Sequence, residues 1–231
     1  MICQKAIVQR FKNGVNWRFT FPSRIKINTM TQLQNVLDAI DEINKNDINT
    51  TVVDGVSYPK ELLYGQYMTT CLEKYWPNAD EKLQISVRAQ HVKRWHLKRA
   101  DFAIGKQGYL TWRKELGIFH AATAKALMLE HGYSEEAAET TAAIIRKEKL
   151  KSNNDSQTLE DVACLVFLQY YFDEFAAKHK EDKIIRIVQL TWRKMSAQGQ
   201  EIALSLTLPP ENKCFAFSIL PPLMPKRCSP K

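Results

Sequence analysis

Two histidines and one aspartate carry the side chains best suited to chemistry in this sequence. His91 lies in a stretch, residues 84–95, whose apolar positions recur at helical spacing, and His120 lies on the apolar stripe of a second predicted helix. Asp161 lies in the most apolar predicted helix, where a carboxylate is costly unless it is paired, hydrogen-bonded or bound to a metal. We therefore predict that these three side chains converge on one pocket as catalytic groups, with Glu148 as a fourth.

The same three side chains form a candidate metal site. Two neutral imidazoles and one carboxylate suit zinc, manganese, iron or nickel, so we expect His91, His120 and Asp161 to ligate a divalent metal ion if one is bound. Such an ion would activate a water molecule against a phosphate ester. Without a metal, the pocket would bind an anion and perform no chemistry.

Cationic and aromatic side chains cluster in the same parts of the sequence. Guanidinium groups bind phosphate or carboxylate through two parallel hydrogen bonds, and flat rings can stack on a base. The alternative is that the aromatic rings belong to the core and the cations pair with Glu148, Glu160 and Asp161; for Asp161 we expect Arg88 or Lys147 as the partner. The residues that we assign to substrate binding are Arg88, Arg94, Trp95, Tyr109, Arg113, Arg146 and Lys147.

Helices must position these residues, because no alternating strand pattern is long enough to predict a sheet. Apolar periodicity and capping residues predict an all-α protein with a single helical bundle. The spacing of Arg88, His91 and Trp95 places them together on one helix. The predicted helices span residues 31–44, 59–76, 80–95, 109–130, 134–149, 158–177, 184–195 and 196–206.

Composition limits the class of protein and its partners. The 231 residues are enough for one domain with a sizeable core, and the net charge of +8 permits nucleic acid or anionic ligands as partners. The five cysteines form no CxxC pair, and this usage favours a reducing compartment, so we expect a cytoplasmic protein. No apolar stretch is long enough to span a bilayer.

The two ends of the chain differ from its middle. Residues 1–29 are basic and contain no acidic residue, which is typical of a mitochondrial transit peptide; the alternative is that Met30 is the true start. Residues 30–211 form the predicted helical domain. Residues 212–231 are rich in proline and lack helical periodicity, so we predict an irregular tail.

Six motifs distributed along the predicted helical domain point to a known family. They resemble the family called domain of unknown function 4202, and the resemblance covers residues 31–210. That family has no settled activity, so the resemblance implies a fold and no function. The motifs are residues 59–66 (PKELLYGQ), 88–95 (RAQHVKRW), 108–113 (GYLTWR), 146–148 (RKE), 159–167 (LEDVACLVF) and 191–196 (TWRKMS).

The order of helices is also similar to the HD superfamily of metal-dependent phosphohydrolases. In that comparison His91 matches the histidine of the His–Asp doublet, His120 an additional histidine and Asp161 the late aspartate. Val92 stands where the doublet aspartate would be, and Tyr64 lies near the position of the early histidine. The resemblance implies a phosphohydrolase acting on a small phosphorylated substrate. The departures leave open a metal-free module for an anionic ligand or an RNA-associated protein.

One further similarity is rejected. Residues 194–196 (KMS) are similar to a fragment of a synthetase signature loop, and some relatives carry the label glutamyl-tRNA synthetase. The chain lacks a HIGH-type motif and the strands of a dinucleotide-binding fold. We therefore predict that it is not an active aminoacyl-tRNA synthetase.

Overall fold

Capping residues that are recognisable in the sequence begin four of the helices. The computed structural model describes residues 30–150 and 152–206, and in this part of the chain the structure is all-α, as predicted. In these four helices a capping side chain accepts an N–H group of the first turn: α1 (Gln32–Asn44, Thr31), α3 (Glu81–Ala89, Asp80), α5 (Glu135–Ile145, Ser134) and α9 (Ala197–Ser205, Ser196). The side chain of Asn153 caps the helix that begins at Asn154 in the same way. The other α-helices are α2 (Lys60–Tyr75), α4 (Lys106–Glu130), α6 (Asn154–Val166), α7 (Phe172–Ala177) and α8 (Glu181–Lys194).

The predicted leader (1–29) and tail (212–231) lie outside the described residues, and the domain boundaries therefore stay predictions. No helix in the described part of the chain is long and apolar enough to cross a membrane.

A short β-hairpin between α1 and α2 was missed by the prediction. Strand β1 (Thr50–Val53) pairs antiparallel with β2 (Val56–Pro59), and the turn residues Asp54 and Gly55 both have positive φ. An Asp–Gly pair between runs of β-branched residues is a strong hairpin signal. It was interpreted as a loop because each strand has only four residues, too few for an alternating pattern to stand out.

Helix α3 lies in the interior and contributes to two hydrophobic cores. It packs on α1, α2, α4, α5 and α6. Its Leu83 and Val87 belong to the core that also contains residues of α2, α6, α8 and α9. Its Ile85 and Ala89 belong to the core formed with α1, α4 and α5. Burial of both faces of one helix thus joins the two halves of the bundle.

The helix that was predicted to carry His91 ends before that residue. Helix α3 stops at Ala89, so His91 lies in the turn that follows and does not share a helical face with Arg88 and Trp95. The cause is a contact from outside the helix: the side chain of Asn44 accepts a hydrogen bond from the backbone N–H of Lys93 at 2.9 Å. Lys93 adopts a left-handed conformation with φ of 52°, which an α-helix cannot continue through.

The predicted helix 158–177 contains a π-helical segment. Helix α6 passes into a π-helix over Phe167–Tyr171, which passes directly into α7. π-Helical turns inside α-helices are rare and occur frequently at functional sites. Two residues of this segment, Phe167 and Tyr171, line a cavity.

Candidate functional site

Two adjoining cavities open at the end of the bundle where α2 begins and α3 and α5 end. The first has a volume of about 390 Å³ and the second about 590 Å³. We call them together the cleft, and the residues that line both of them the junction. The junction consists of Gln90, His91, Arg94, Arg113 and Lys147.

The cleft carries an excess of positive charge. Seven lysines and arginines line it, against three glutamates, Glu61, Glu148 and Glu160. A concave surface with one dominant sign of charge attracts ligands of the opposite sign. The cations are Lys60, Arg94, Arg113, Lys114, Arg146, Lys147 and Lys194.

Glu61 and His91 form a hydrogen-bonded pair beside the junction. The Oε2 atom of Glu61 lies 2.9 Å from Nδ1 of His91, and the ring of Tyr64 stacks on the imidazole at 4.0 Å. Burial and the nearby Arg94 guanidinium hold the pKa of His91 well below its ordinary value, so this imidazole is neutral at pH 7. With Nδ1–H donated to Glu61, Nε2 is the nitrogen that remains for a ligand.

Glu61 is not recognisable as a site residue from the sequence, because its position depends on tertiary contacts. Pro59 provides no side-chain cap for α2, and the carboxylate of Asp47 accepts the N–H of Glu61 instead, at 3.1 Å. The side-chain amide of Asn44 donates to the carbonyl of Glu61 at 3.4 Å. The available signals were the family motif at residues 59–66 and the i, i+3 spacing from Glu61 to Tyr64.

His120 lines the second cavity with one nitrogen bound and the other free. Its Nδ1 lies 2.8 Å from the carbonyl oxygen of Val92, and its Nε2 is buried without a hydrogen-bond partner. The side chain is almost fully buried, at 2% exposure. Burial and then the neighbouring His91 lower the pKa of His120 to about 3. The ring centroids of the two histidines lie 6.1 Å apart.

The lowered pKa of His120 predicts a loss of stability in acid. The folded-state pKa lies below the unfolded value, so this contribution is intact above pH 6.5 and is lost as the pH falls from 6.5 toward about 3. In urea unfolding, the free energy of the wild-type protein should fall with decreasing pH more steeply than that of His120→Asn, by up to about 1.4 kcal/mol per pH unit. Asparagine keeps a donor for the Val92 carbonyl. Parallel pH curves for the two proteins would contradict the assignment of a neutral, buried His120.

All the buried polar side-chain atoms that lack a hydrogen-bond partner within residues 30–150 and 152–206 belong to residues of this cleft. They are Oε1 of Gln90, Nε2 of His120 and the hydroxyl of Tyr171. Buried polar atoms are rarely left unpaired, because each such atom costs about 1–3 kcal/mol. Their concentration at one place is typical of a site whose partners come from a ligand.

Lys147 enters the junction from a left-handed backbone position. It follows the last turn of α5 with φ of 56°, and its N–H donates to the carbonyl of Ile144. Glycine is the usual residue at this place, because a Cβ atom costs about 1–2 kcal/mol there. The ammonium pairs with the buried Glu160, which also lies 3.4 Å from Nζ of Lys194. A cationic side chain is thus kept where the backbone favours glycine.

Comparison with known proteins places the chain in a family. Residues 34–215 match the family described as domain of unknown function (DUF4202). The chain belongs to this family. A search of curated proteins and a search of solved structures each found no match. The predicted DUF4202 membership is thereby confirmed, and the HD-like pattern stays a prediction.

Most of the predicted site residues surround the cleft of this DUF4202 protein. Both histidines line it, and so do Arg94, Arg113 and Lys147 at the junction. Arg146 and Glu148 line the second cavity, where they pair with each other at 2.6 Å; Arg146 also pairs with Glu139.

Asp161 is not among the residues that line the cleft. Its carboxylate accepts hydrogen bonds from the backbone N–H of Ser196 at 2.8 Å and from the side chain of Gln157 at 3.0 Å. The hydroxyl of Ser196 donates to it as well. A Cβ atom on Gly199 would approach the carboxyl carbon to 2.7 Å, so the start of α9 is packed closely on it. Neither Arg88 nor Lys147, the expected partners, pairs with Asp161; the start of a helix satisfies it instead.

Arg88 also lies outside the lining of the cleft. Its guanidinium makes two hydrogen bonds of 2.8 Å to the carboxylate of Asp41 on α1. A third bond, of 3.0 Å, goes to the hydroxyl of Thr69 on α2. Arg88 therefore joins three helices of the DUF4202 domain, and all its visible contacts are structural.

The two aromatic candidates lie near the cleft without lining it. The hydroxyl of Tyr109 accepts a hydrogen bond of 3.3 Å from Arg113, so Tyr109 contacts a junction residue from outside. Trp95 lies in the short 3₁₀-helix Arg94–His96 and is partly buried. The ring under the Arg94 guanidinium is that of Trp112, at 4.8 Å.

In the part of the chain that the structure describes, no three His, Cys, Asp or Glu side chains lie in an arrangement that could hold a metal ion. Of the predicted ligands, His91 and His120 approach each other and Asp161 is engaged at the start of α9. The divalent metal ion stays a prediction for this DUF4202 protein.

Proposed function

We propose that this protein binds a small anionic ligand, phosphorylated or carboxylated, in the cleft. The observation that carries the proposal is that the unpartnered buried polar atoms of Gln90, His120 and Tyr171 coincide with the cationic cleft. Cations alone would be explained by a solvated surface, and unpaired atoms alone by a poorly packed interior. Their coincidence is explained by a ligand that supplies negative charge and hydrogen bonds together.

The charges at the junction are suited to recognition of an anion. The side chain of Arg94 is 22% exposed and forms an ion pair with Glu61, whose Oε1 lies 3.7 Å from Nε of Arg94. Burial raises the pKa of Glu61 and the Arg94 guanidinium opposes that rise. An arriving anion would share the Arg94 guanidinium with Glu61, and electrostatic attraction is strong in such a partly desolvated place.

A metal-dependent phosphohydrolase of the HD type is the second candidate. The favouring observation is that each histidine has Nδ1 bonded to an oxygen, of Glu61 for His91 and of the Val92 backbone for His120. Metal-binding histidines are commonly oriented by such a second hydrogen bond. Elemental analysis of the purified protein, followed by assays of phosphatase activity with added divalent metals, distinguishes this candidate from simple anion binding.

Two lysines offer a matched test of anion binding. Lys147 and Lys149 both have left-handed φ, of 56° and 50°, so glycine at either position relieves the same backbone strain. Only Lys147 lines the cleft, and Lys149 is exposed. We expect Lys147→Gly to weaken the binding of inorganic pyrophosphate about tenfold, the loss of one charge-assisted hydrogen bond, and Lys149→Gly to leave it unchanged. Isothermal titration calorimetry at low ionic strength measures both affinities.

Citrate serves as the carboxylate probe in the same titrations. Binding of neither pyrophosphate nor citrate by the wild-type protein would contradict the proposal. An equal loss of affinity in Lys147→Gly and Lys149→Gly would also contradict it, since that result would reflect net charge and not the cleft.

A further inference from the structure

The two cavities diverge from the junction along different helices. Beyond the junction, the first cavity is lined by residues of α2, α6, the π-helical segment and α8. The second is lined by residues of α4 and the end of α5. Volumes of about 390 and 590 Å³ are each within the range of small-molecule pockets, so each cavity alone can accept an organic group. A ligand that fills both must have two arms joined at the junction.

The junction suits a group with a single negative charge. Two of its cations are already paired within the protein, Arg94 with Glu61 and Lys147 with Glu160. Arg113 makes no ion pair with a carboxylate in residues 30–150 and 152–206. The junction therefore has one positive charge, that of Arg113, which no carboxylate in the described part of the chain neutralises. This net charge matches a ligand group with one negative charge better than a group with two.

Each of the two cavities offers an apolar surface and one residue with an unpartnered polar atom. The first cavity is lined by the aromatic residues Phe167 and Tyr171, and the hydroxyl of Tyr171 is unpartnered, which suits a flat group with a polar edge. The second cavity is lined by Leu116 and Ile145 and by His120, whose Nε2 is unpartnered. Gly117 borders open space in the second cavity, because a Cβ atom at this position would meet no other atom within 4 Å, so a larger side chain has room there.

We propose that the ligand of the cleft is a phosphodiester, with its phosphate at the junction and one organic substituent in each cavity. The flat substituent occupies the first cavity. This inference rests on the proposed function and narrows it: a phosphodiester carries one negative charge and two substituents, whereas a phosphate monoester carries up to two charges and one substituent.

The test compares bis(4-nitrophenyl) phosphate with 4-nitrophenyl phosphate, which differ in the second aromatic arm. Isothermal titration calorimetry should show that the wild-type protein binds the diester about tenfold more tightly than the monoester. Gly117→Leu should abolish this preference by filling the second cavity, while its affinity for inorganic pyrophosphate is retained. Gly117→Ala is the matched control, because one methyl group leaves most of the second cavity open, and it should keep the preference.

Tyr171→Phe supplies a second variant on the first cavity. It removes a hydroxyl that has no partner in the protein, so its melting temperature should be unchanged or higher. Its affinity for the diester should fall about fivefold. This variant keeps the test decisive if Gly117→Leu fails to fold.

The outcomes separate this inference from the proposed function. Equal affinities of the wild-type protein for diester and monoester, with pyrophosphate still bound, would overturn the phosphodiester and leave the anion site standing. A preference for the diester that survives both Gly117→Leu and Tyr171→Phe would also overturn it. Failure to bind any of these phosphates would overturn both.

Discussion

Replacement of Arg94 by methionine should weaken the binding of inorganic pyrophosphate about thirtyfold, which is the largest loss that we expect from any cation of the cleft. Arg94 lines both cavities, and its side chain is only 22% exposed. Truncating a charged group that is largely desolvated in a complex commonly costs about 2–5 kcal/mol, and about 2 kcal/mol corresponds to thirtyfold. Isothermal titration calorimetry at fixed, low ionic strength measures the effect.

Arg186→Met is the control for the loss of a positive charge. Arg186 is an exposed residue of α8 that does not line the cleft. Its replacement changes the net charge of the protein by the same amount and should alter pyrophosphate affinity by less than about twofold, as expected for a screened surface charge. Similar losses in the two variants would show that pyrophosphate responds to the overall charge of the protein and that Arg94 has no special role.

Replacement of Arg88 by methionine should instead destabilise the protein, by about 3–5 kcal/mol. The side chains of Arg88 and Asp41 are 14% and 16% exposed, and they are joined by two hydrogen bonds. Removing one partner leaves the other charge buried and unpaired, which is the source of the large cost. Urea unfolding followed by circular dichroism measures the change in free energy.

The double variant Arg88→Met/Asp41→Leu completes a thermodynamic cycle. Removing both charges should recover most of the stability lost in the single variant, because no unpaired charge remains. If Arg88→Met has unchanged stability and no longer binds pyrophosphate, the structural role is contradicted. Arg88 would then belong to the ligand site, as predicted from the sequence.

Local signals in the sequence were sufficient to predict the helices and many residues of the cleft. Thr31, Ser134 and Ser196 were recognisable as helix caps because a cap depends on residues within one turn. His120 was correctly expected to face inward from the periodicity of its own helix, and it is 2% exposed.

The remaining features depend on contacts between distant parts of the chain. Helix α3 ends at Ala89 because Asn44 binds the backbone of Lys93, forty-nine positions away in the sequence. Asp161 was expected in the pocket because a sequence does not distinguish a buried carboxylate that faces a cavity from one that binds the start of another helix. Glu61 was missed for the complementary reason, since its place beside His91 is set by the loop after α1.

The double packing of α3 links the cleft to the cooperativity of unfolding. This helix contributes side chains to both hydrophobic cores, and the turn that follows it supplies Gln90 and His91 to the junction. The cleft therefore cannot open widely by local fraying of one element, because moving the end of α3 disturbs both halves of the bundle. The amide protons of α3 should accordingly exchange with solvent only through global unfolding, and a ligand at the junction should slow that exchange across the whole bundle and not at the cleft alone.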